Sequence, residues 1–446
     1  MEAKVSVIMP SLNVVKYIDE CITSVLNQTL KDIEIICVDA GSDDGTYEKL
    51  MEYKSHDSRI RILHSDVRSY GAQVNMGISQ AKGEYISIVE TDDYVDLNML
   101  ERLYDLAKLH SLDYIKAGAN SIQQFGERVL KRNMGFADTD YSIYDKVVSI
   151  EKYPQILSMD FYIWRGIYKK QFLLDNNIYC SETKGAAYQD IGFTHLVTVN
   201  AGRVMFIDEP FYQYRIGRNE SSSKSPNGVR YTYNEYNRLI SECDYLNKLP
   251  AAAADKFWRR FAKAVLGEVN HILRITDYDM NTEHISVYYD WYQEMFSQNI
   301  IKNVFFESIF SENERTEINL FATDFKAYVE LIYKNDMLLK KNNSEMINAA
   351  VNSGSRIVIF GCGKYGLNVL ETLYDNDLEP VSFCDNNEKL WGTKKADVPV
   401  NSPEYMVSRY PEAVYIVANK KHAYDIEKEL RQLNVKKIII YKRYEE

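Results

Sequence analysis

Residues 33–46 read IEIICVDAGSDDGT. The first seven are almost all apolar or β-branched, which fits a strand buried on both faces of a parallel sheet. Asp39 to Thr46 then crowd together the Asp, Gly, Ser and Thr that turns and helix starts need. Similar apolar runs flank this stretch at residues 5–9 (VSVIM), 60–64 (IRILH) and 85–89 (YISIV). Between the first two, Val14, Ile18, Ile22, Val25 and Leu26 recur at helical spacing, so that crossover is a helix. Strands alternating with helices predict βαβ units around a largely parallel sheet.

In open α/β sheets ligands collect beyond the carboxyl ends of the strands. Pro10-Ser11-Leu12-Asn13 follow the first run, Asp39 to Thr46 the second, and Glu90-Thr91-Asp92-Asp93 the fourth. Acidic groups converging there repel one another unless a cation or hydrogen-bond donors sit among them, and carboxylate oxygens suit Mn or Mg. Asp43, Asp44, Gly45 and Thr46 read equally well as a turn and cap for the next helix.

In order and spacing these segments resemble the family 2 glycosyltransferases of the GT-A fold, whose opening reads P-x-Y-N, then V-D-D-G-S-x-D-G-T, then D-x-D-D. The resemblance covers residues 4–225. It implies an inverting, metal-dependent enzyme that moves a sugar from a nucleotide diphosphate, expected to be a UDP-sugar, to a hydroxyl of a growing glycan or lipid-linked oligosaccharide. Bacterial surface polysaccharide is the expected product class.

By the same resemblance Asp39 hydrogen-bonds the donor base, Pro10 and Asn13 line the nucleotide pocket, and Asp92 ligates Mn or Mg with Glu90 and Asp93 beside it. Three positions depart from the pattern: Leu12 for the aromatic, Ala40 for the second aspartate, and Glu90 for the first aspartate of D-x-D. A glutamate still offers carboxylate oxygens, at longer reach. In SYGAQVNMG (69–77) Val74 stands where the wider family often has arginine, leaving Arg68, Gln73 and Asn75 as candidate donor contacts.

YIWRGIYKKQFLLDNNIYC (162–180) and ETKGAAYQDIGFTHLV (182–197) resemble the family's acceptor half, where an E-D pair supplies the catalytic base. That base corresponds to Asp190. Gln189 replaces the glutamate, removing a like charge that would otherwise raise the base's pKa. After RVMFID (203–208) come Tyr212-Gln213-Tyr214-Arg215 and Arg218, similar to the family's Y-R; Arg215 or Arg218 is expected to clamp the diphosphate through paired guanidinium donors.

The remainder divides by pattern. Residues 1–228 are expected to form the GT-A domain, 229–350 a helical connecting region, and 351–446 a Rossmann-like α/β domain. The last opens with RIVIFGCGKYG at 356 and continues through VSFCD, AVYIVA and KIIIY. Gly361, Gly363 and Gly366 match G-x-G-x-x-G between strand and helix, with Asp385 placed 24 residues beyond Gly361, which marks a candidate second nucleotide site. NAD(P) there is disfavoured: about 80 residues follow without a recognisable hydride-transfer site. The competing whole-chain readings are an NAD(P)-dependent oxidoreductase and a non-catalytic nucleotide-sugar-binding scaffold; Asp39, Asp92, Asp93 and Asp190 together argue against the second.

Bulk properties agree with this reading. At 446 residues the chain exceeds the size of one core, and 46% hydrophobic with 26% charged residues is ordinary for a globular protein. A net charge of -11 excludes a phosphate-backbone binder and so a nucleic-acid partner. Six scattered cysteines predict buried free thiols in a reducing cytoplasm, and seven scattered histidines support no zinc site.

The start MEAKVSVIMP lacks a leader-like apolar stretch, and no apolar run reaches the roughly 18 residues a span needs. A cytoplasmic location is expected, with peripheral attachment to the inner membrane face through Lys256, Arg259, Arg260 and Lys263 among Phe257, Trp258 and Phe261, unless these form a solvated helix face. Homo-oligomerisation is compatible with the sequence.

Overall fold

The computed structural model describes residues 3–136, 141–185, 188–217, 225–352 and 354–441. The chain divides into two compact units, Met1–Ile122 with Asn133–Tyr328, and Gln123–Arg132 with Val329–Glu446.

The first unit is built on β1 (Val5–Ser11), β2 (Ile33–Asp39), β3 (Ile60–His64), β4 (Tyr85–Ile88), β5 (Tyr94–Val95), β6 (Tyr114–Phe125), β7 (Arg128–Met134), β8 (Gly166–Lys169) and β9 (Val204–Ile216). They form one mixed sheet in the order β3-β2-β1-β4-β8-β6-β9-β5, with β7 paired to β6. The β3-β2-β1-β4 half is parallel; β8 then runs antiparallel to β4 and to β6. Every residue of β1, β2 and β4 is buried, which explains why those strands read as continuous apolar runs rather than alternating ones.

The predicted crossover is the helix Ile18–Leu26, which buries Ile18, Cys21, Ile22 and Val25. Helices Thr46–His56 and Tyr70–Gln80 complete the other two crossovers. Parallel strands bring the ends of β1, β2 and β4 to one edge: Ser11 lies beside Asp39, and Ile8 beside Ile88 two residues before Glu90.

Helices Gly228–Ser241, Ala254–Ile275, Glu283–Met295 and Glu312–Thr323 follow. Here the structure corrects one expectation. Phe257 and Phe261 are fully buried, Trp258 is 8% exposed and Arg260 1% exposed, so the basic-aromatic run is core rather than a membrane-facing stripe. The Arg260 guanidinium is satisfied internally, donating to Leu157 O at 3.0 Å and Thr194 Oγ1 at 2.9 Å, with Phe161 stacked 4.3 Å away. Among the described residues no helix is long and apolar enough to cross a membrane. All six cysteines are free, and all but Cys243 are buried.

The second unit carries β10 (Ile357–Phe360), β11 (Pro380–Cys384), β12 (Lys394–Lys395), β13 (Val398–Asn401), β14 (Val414–Val417) and β15 (Lys437–Ile440). The sheet order is β12-β13-β11-β10-β14-β15, parallel except for the short β12. With β10 central and the order reversing beside it, this is a doubly wound arrangement. Alternate residues of β10 face two separate cores, Ile357 and Ile359 towards the helix Lys364–Tyr374, and Val358 and Phe360 towards the helices Pro403–Arg409 and Ala423–Gln432.

Candidate active site

At the β4 end the chain folds into a tight acidic turn, closed by Asp93 N–H donating to Glu90 O at 3.0 Å. Thr91 anchors it to the neighbouring strand by donating to Pro10 O at 2.7 Å. The Tyr212 hydroxyl accepts Glu90 N–H at 3.1 Å, and Arg215 N–H donates to Asp93 Oδ1 at 2.7 Å. These bonds leave the Glu90, Asp92 and Asp93 carboxylates grouped, with one oxygen from each within 4.8 Å of the others. Three hard oxygen donors at that spacing could hold a divalent cation.

Electrostatics give the same picture. Burial and the facing charges of Asp92, Asp93 and Asp190 push the Glu90 carboxyl well above its usual range, although Tyr70 donates to it at 3.3 Å. Asp190 is thus brought near the turn although it lies about a hundred residues further along the chain. It sits in the first turn of the helix Gln189–Asn200. Its own carboxyl is raised to about 6, chiefly by burial and further by Glu235, against the lowering effect of a backbone hydrogen bond, Arg260 and Lys116.

The local structure that delivers Asp190 is specific. Gln189 is 1% exposed. It accepts Gly71 N–H at 2.8 Å and donates to Thr183 and Gly185, tying the start of one helix to the start of another. A neutral amide can donate and accept at once; a glutamate there would face Thr183 O and Gly185 O without a proton to offer. Gly71 is required by close approach, since a Cβ on it would lie 1.9 Å from Ser181 O. Tyr188, just ahead, adopts a left-handed backbone at φ 69° and donates to Glu268 at 2.6 Å. Such a conformation in a bulky residue is held by its surroundings.

The nucleotide-side residues are also drawn together. Asn13, left-handed at φ 55°, accepts Asp43 N–H at 2.9 Å and its own N–H donates to Ser42 Oγ at 3.0 Å. Asp39, 1% exposed, accepts the Gly41 and Ser42 N–H groups at 2.9 and 3.0 Å and the Ser42 hydroxyl at 2.5 Å. Arg68 donates to Gly41 O at 3.0 Å. Asp44 braces the loop, accepting from Val15 N at 3.0 Å and from both Thr46 groups.

Other candidates are placed as braces. Gln73 donates to Ser11 O at 2.9 Å and Val38 O at 2.6 Å, locking two strand ends. Asn75 binds Cys180 O and Glu182 at 2.9 Å each, fixing the loop before Asp190. Arg215 donates to Asp92 O at 2.6 Å, pairs with Glu20 and lies 4.9 Å from the Tyr94 ring, so it supports the acidic turn from behind. Arg218 lies outside the described residues.

Residues that local reading missed are aromatic. Tyr70, Tyr162, Trp164, Tyr212 and Tyr214 come from separate segments and meet beside the carboxylates: Trp164 stacks on Tyr212 at 4.1 Å and on Tyr214 at 5.1 Å, and Tyr162 lies 4.6 Å from Trp164. The runs that carry them, YIWRG and YQY, are visible in the sequence, but their convergence is not.

In the second unit Gly361 is left-handed at φ 97°, and a Cβ on Gly366 would meet Gly361 O at 2.0 Å, so both glycines serve the strand-to-helix turn. Gly363 caps the helix Lys364–Tyr374. The Asp385 carboxylate accepts Cys362 N–H at 3.1 Å and Asn387 N–H at 3.0 Å.

Comparison with known proteins accords with this geometry. The model for glycosyl transferase family 2 matches residues 6–163, and that for C2185-like, N-terminal matches residues 353–441. The chain is 33% identical over 211 residues to the uncharacterized glycosyltransferase EpsJ of Bacillus subtilis, covering 47% of this chain and 60% of that protein. It is 31% identical over 227 residues to glycosyltransferase GlyG of Streptococcus pneumoniae, covering 48% and 71%. Among solved structures, S. aureus TarS 1-349 in complex with UDP-GlcNAc superposes with a TM-score of 0.52 at 18% identity, over 75% of this chain and 92% of that one. The parallel half-sheet, the acidic turn at its edge and these matches place the chain in glycosyl transferase family 2, with the GT-A fold.

Proposed function

We propose that the chain is an inverting, cation-dependent transferase that moves a sugar from a UDP-sugar to a hydroxyl of a bacterial surface glycan. The observation that carries this is the pairing of two unlike acidic features across one site: the clustered carboxylates of Glu90, Asp92 and Asp93, and the single raised carboxyl of Asp190. Glu90, Asp92 and Asp93 would hold Mn or Mg, which when bound neutralises charge on the departing diphosphate. Pro10, Asn13, Asp39 and Arg68 border the nucleotide side.

Asp190 acts as the base. A carboxylate with a pKa near 6 is largely ionised at neutral pH yet basic enough to take the acceptor hydroxyl's proton as the bond to the anomeric carbon forms. One base and one displacement invert the anomeric configuration. A solved relative of the same fold holds UDP-GlcNAc, which makes UDP-sugars the first donors to test.

The test is nucleotide release from UDP-, GDP- and dTDP-sugars with Mn, with Mg and with chelator, followed by NMR assignment of the product's anomeric configuration. Cation-dependent UDP release with an inverted product is expected. Release unaffected by chelator, or a retained configuration, contradicts the mechanism.

A further inference from the structure

The aromatic group beside the carboxylates is built unevenly. Trp164 and Tyr212 are buried, 2% and 1% exposed, and form a stacked foundation. Tyr162 and Tyr214 lie on that foundation half-exposed, 5.9 Å apart and tilted 46° to each other. Among the described residues neither of their hydroxyls has a hydrogen-bond partner.

Both rings are fixed in place. Lys116 and Asp160, each 4% exposed at the side chain, form a buried ion pair; Lys116 also donates to Tyr162 O at 2.7 Å, while Asp160 accepts Tyr162 N–H at 3.4 Å. The Arg165 guanidinium lies 5.0 Å from the Tyr162 ring. Tyr214 is held by its neighbours: Gln213 pairs with Tyr94 across the sheet, and Arg215 N–H donates to Asp93. The charges of Asp190 and Glu90 both act on the Tyr162 hydroxyl, and those of Glu90, Asp92 and Asp93 on that of Tyr214, so the rings stand between the base and the acidic turn.

A rigid pair of half-exposed rings, each with an unclaimed hydroxyl, offers apolar area and hydrogen bonding together at little entropic loss. The C–H face of a pyranose matches it; a flexible acyclic polyol presents hydroxyls on every side and no such face. We infer that Tyr162 and Tyr214 form the platform on which the acceptor's sugar ring stacks, so that the acceptor is a cyclic saccharide with its reacting hydroxyl turned to Asp190. This assignment rests on the transferase reading of Asp190, whereas binding to the platform does not require turnover.

The test uses saturation-transfer NMR on the full chain with a panel of methyl pyranosides and, in parallel, ribitol. Ring protons of at least one pyranoside should receive saturation and those of ribitol should not. Tyr162→Ala and Tyr214→Ala should each weaken that binding by about tenfold. Tyr162→Phe and Tyr214→Phe, which keep the rings, should restore most of it, with melting curves checking that each variant folds. Absence of pyranoside binding, equal binding of ribitol, or binding that survives the double alanine variant overturns the proposal. UDP-sugar turnover on the same samples separates the two claims: tyrosine-dependent pyranoside binding without any donor turnover would sink the transferase reading and leave the platform standing.

Discussion

Two parallel half-sheets in this chain end in glycine- and aspartate-rich loops, and they treat their carboxylates in opposite ways. At the end of β11, Asp385 accepts two backbone N–H groups of its own loops. At the end of β4, Glu90, Asp92 and Asp93 crowd together and Asp190 is brought to face them from another helix. Burial and mutual repulsion raise two of those four carboxyls, which the fold tolerates without relieving. A strand-end aspartate neutralised by its own loop reads as architecture, whereas unrelieved negative charge reads as a site awaiting a cation and a substrate. Asp39 shows that both habits coexist in the first unit, since its carboxylate is held by Gly41 and Ser42.

The largest effect should come from Asp190→Asn. Transfer should fall about 10²–10⁴-fold, the usual worth of a general base. Stability should move the other way. The folded protein holds the Asp190 proton more tightly than an unfolded chain does, so the ionised carboxylate is a liability that is absent below about pH 4 and complete above about pH 6. The variant should therefore melt about 2–4 °C higher at pH 7.5 and no higher at pH 3.5. In the unaltered protein kcat/KM should fall as pH drops through about 6. A variant that melts lower, or an activity indifferent to pH between 5 and 7, would reduce Asp190 to a helix-start residue.

Next in size is Gly366→Ala, which breaks the second loop rather than the first. The new Cβ would meet Gly361 O at 2.0 Å, a clash with backbone that cannot swing aside. A loss of about 2–4 kcal/mol in that unit's melting is expected. UDP-sugar turnover by the first unit, measured below that transition, should persist; its loss would show that the second loop belongs to the catalytic machinery.

The parallel half-sheet and its three acidic ends were legible because each is a short linear pattern: a buried strand, then a turn rich in Asp, Gly and Thr. The approach of Asp190 to Glu90 was reachable only through family resemblance, since no local spacing links them. The aromatic platform was out of reach. Its rings depend on Tyr162 being pinned by Lys116 and Asp160, three residues brought together by tertiary packing. The run from Lys256 to Lys263 misled for the converse reason. Aromatic and basic residues alternate there as in a membrane-facing helix, but the Arg260 charge is taken up internally by Leu157 O and Thr194. Nor does any local pattern mark residues 123–132 as belonging with the second unit.

The smallest expected effect is that of Asp385→Asn. It should weaken hydrogen bonds to Cys362 and Asn387 and lower stability by about 1 kcal/mol, read from a denaturant melt, without altering the KM for a UDP-sugar. A changed KM would move nucleotide recognition into the second unit.

The contrast between a relieved and an unrelieved set of carboxylates is tested most directly by calorimetric titration of Mn²⁺ into the full chain in the presence of UDP, with Asp92→Asn and Asp385→Asn titrated alongside. One Mn²⁺ binding event that is abolished by Asp92→Asn and untouched by Asp385→Asn is the predicted result. Binding that survives Asp92→Asn, or that disappears with Asp385→Asn, would contradict it.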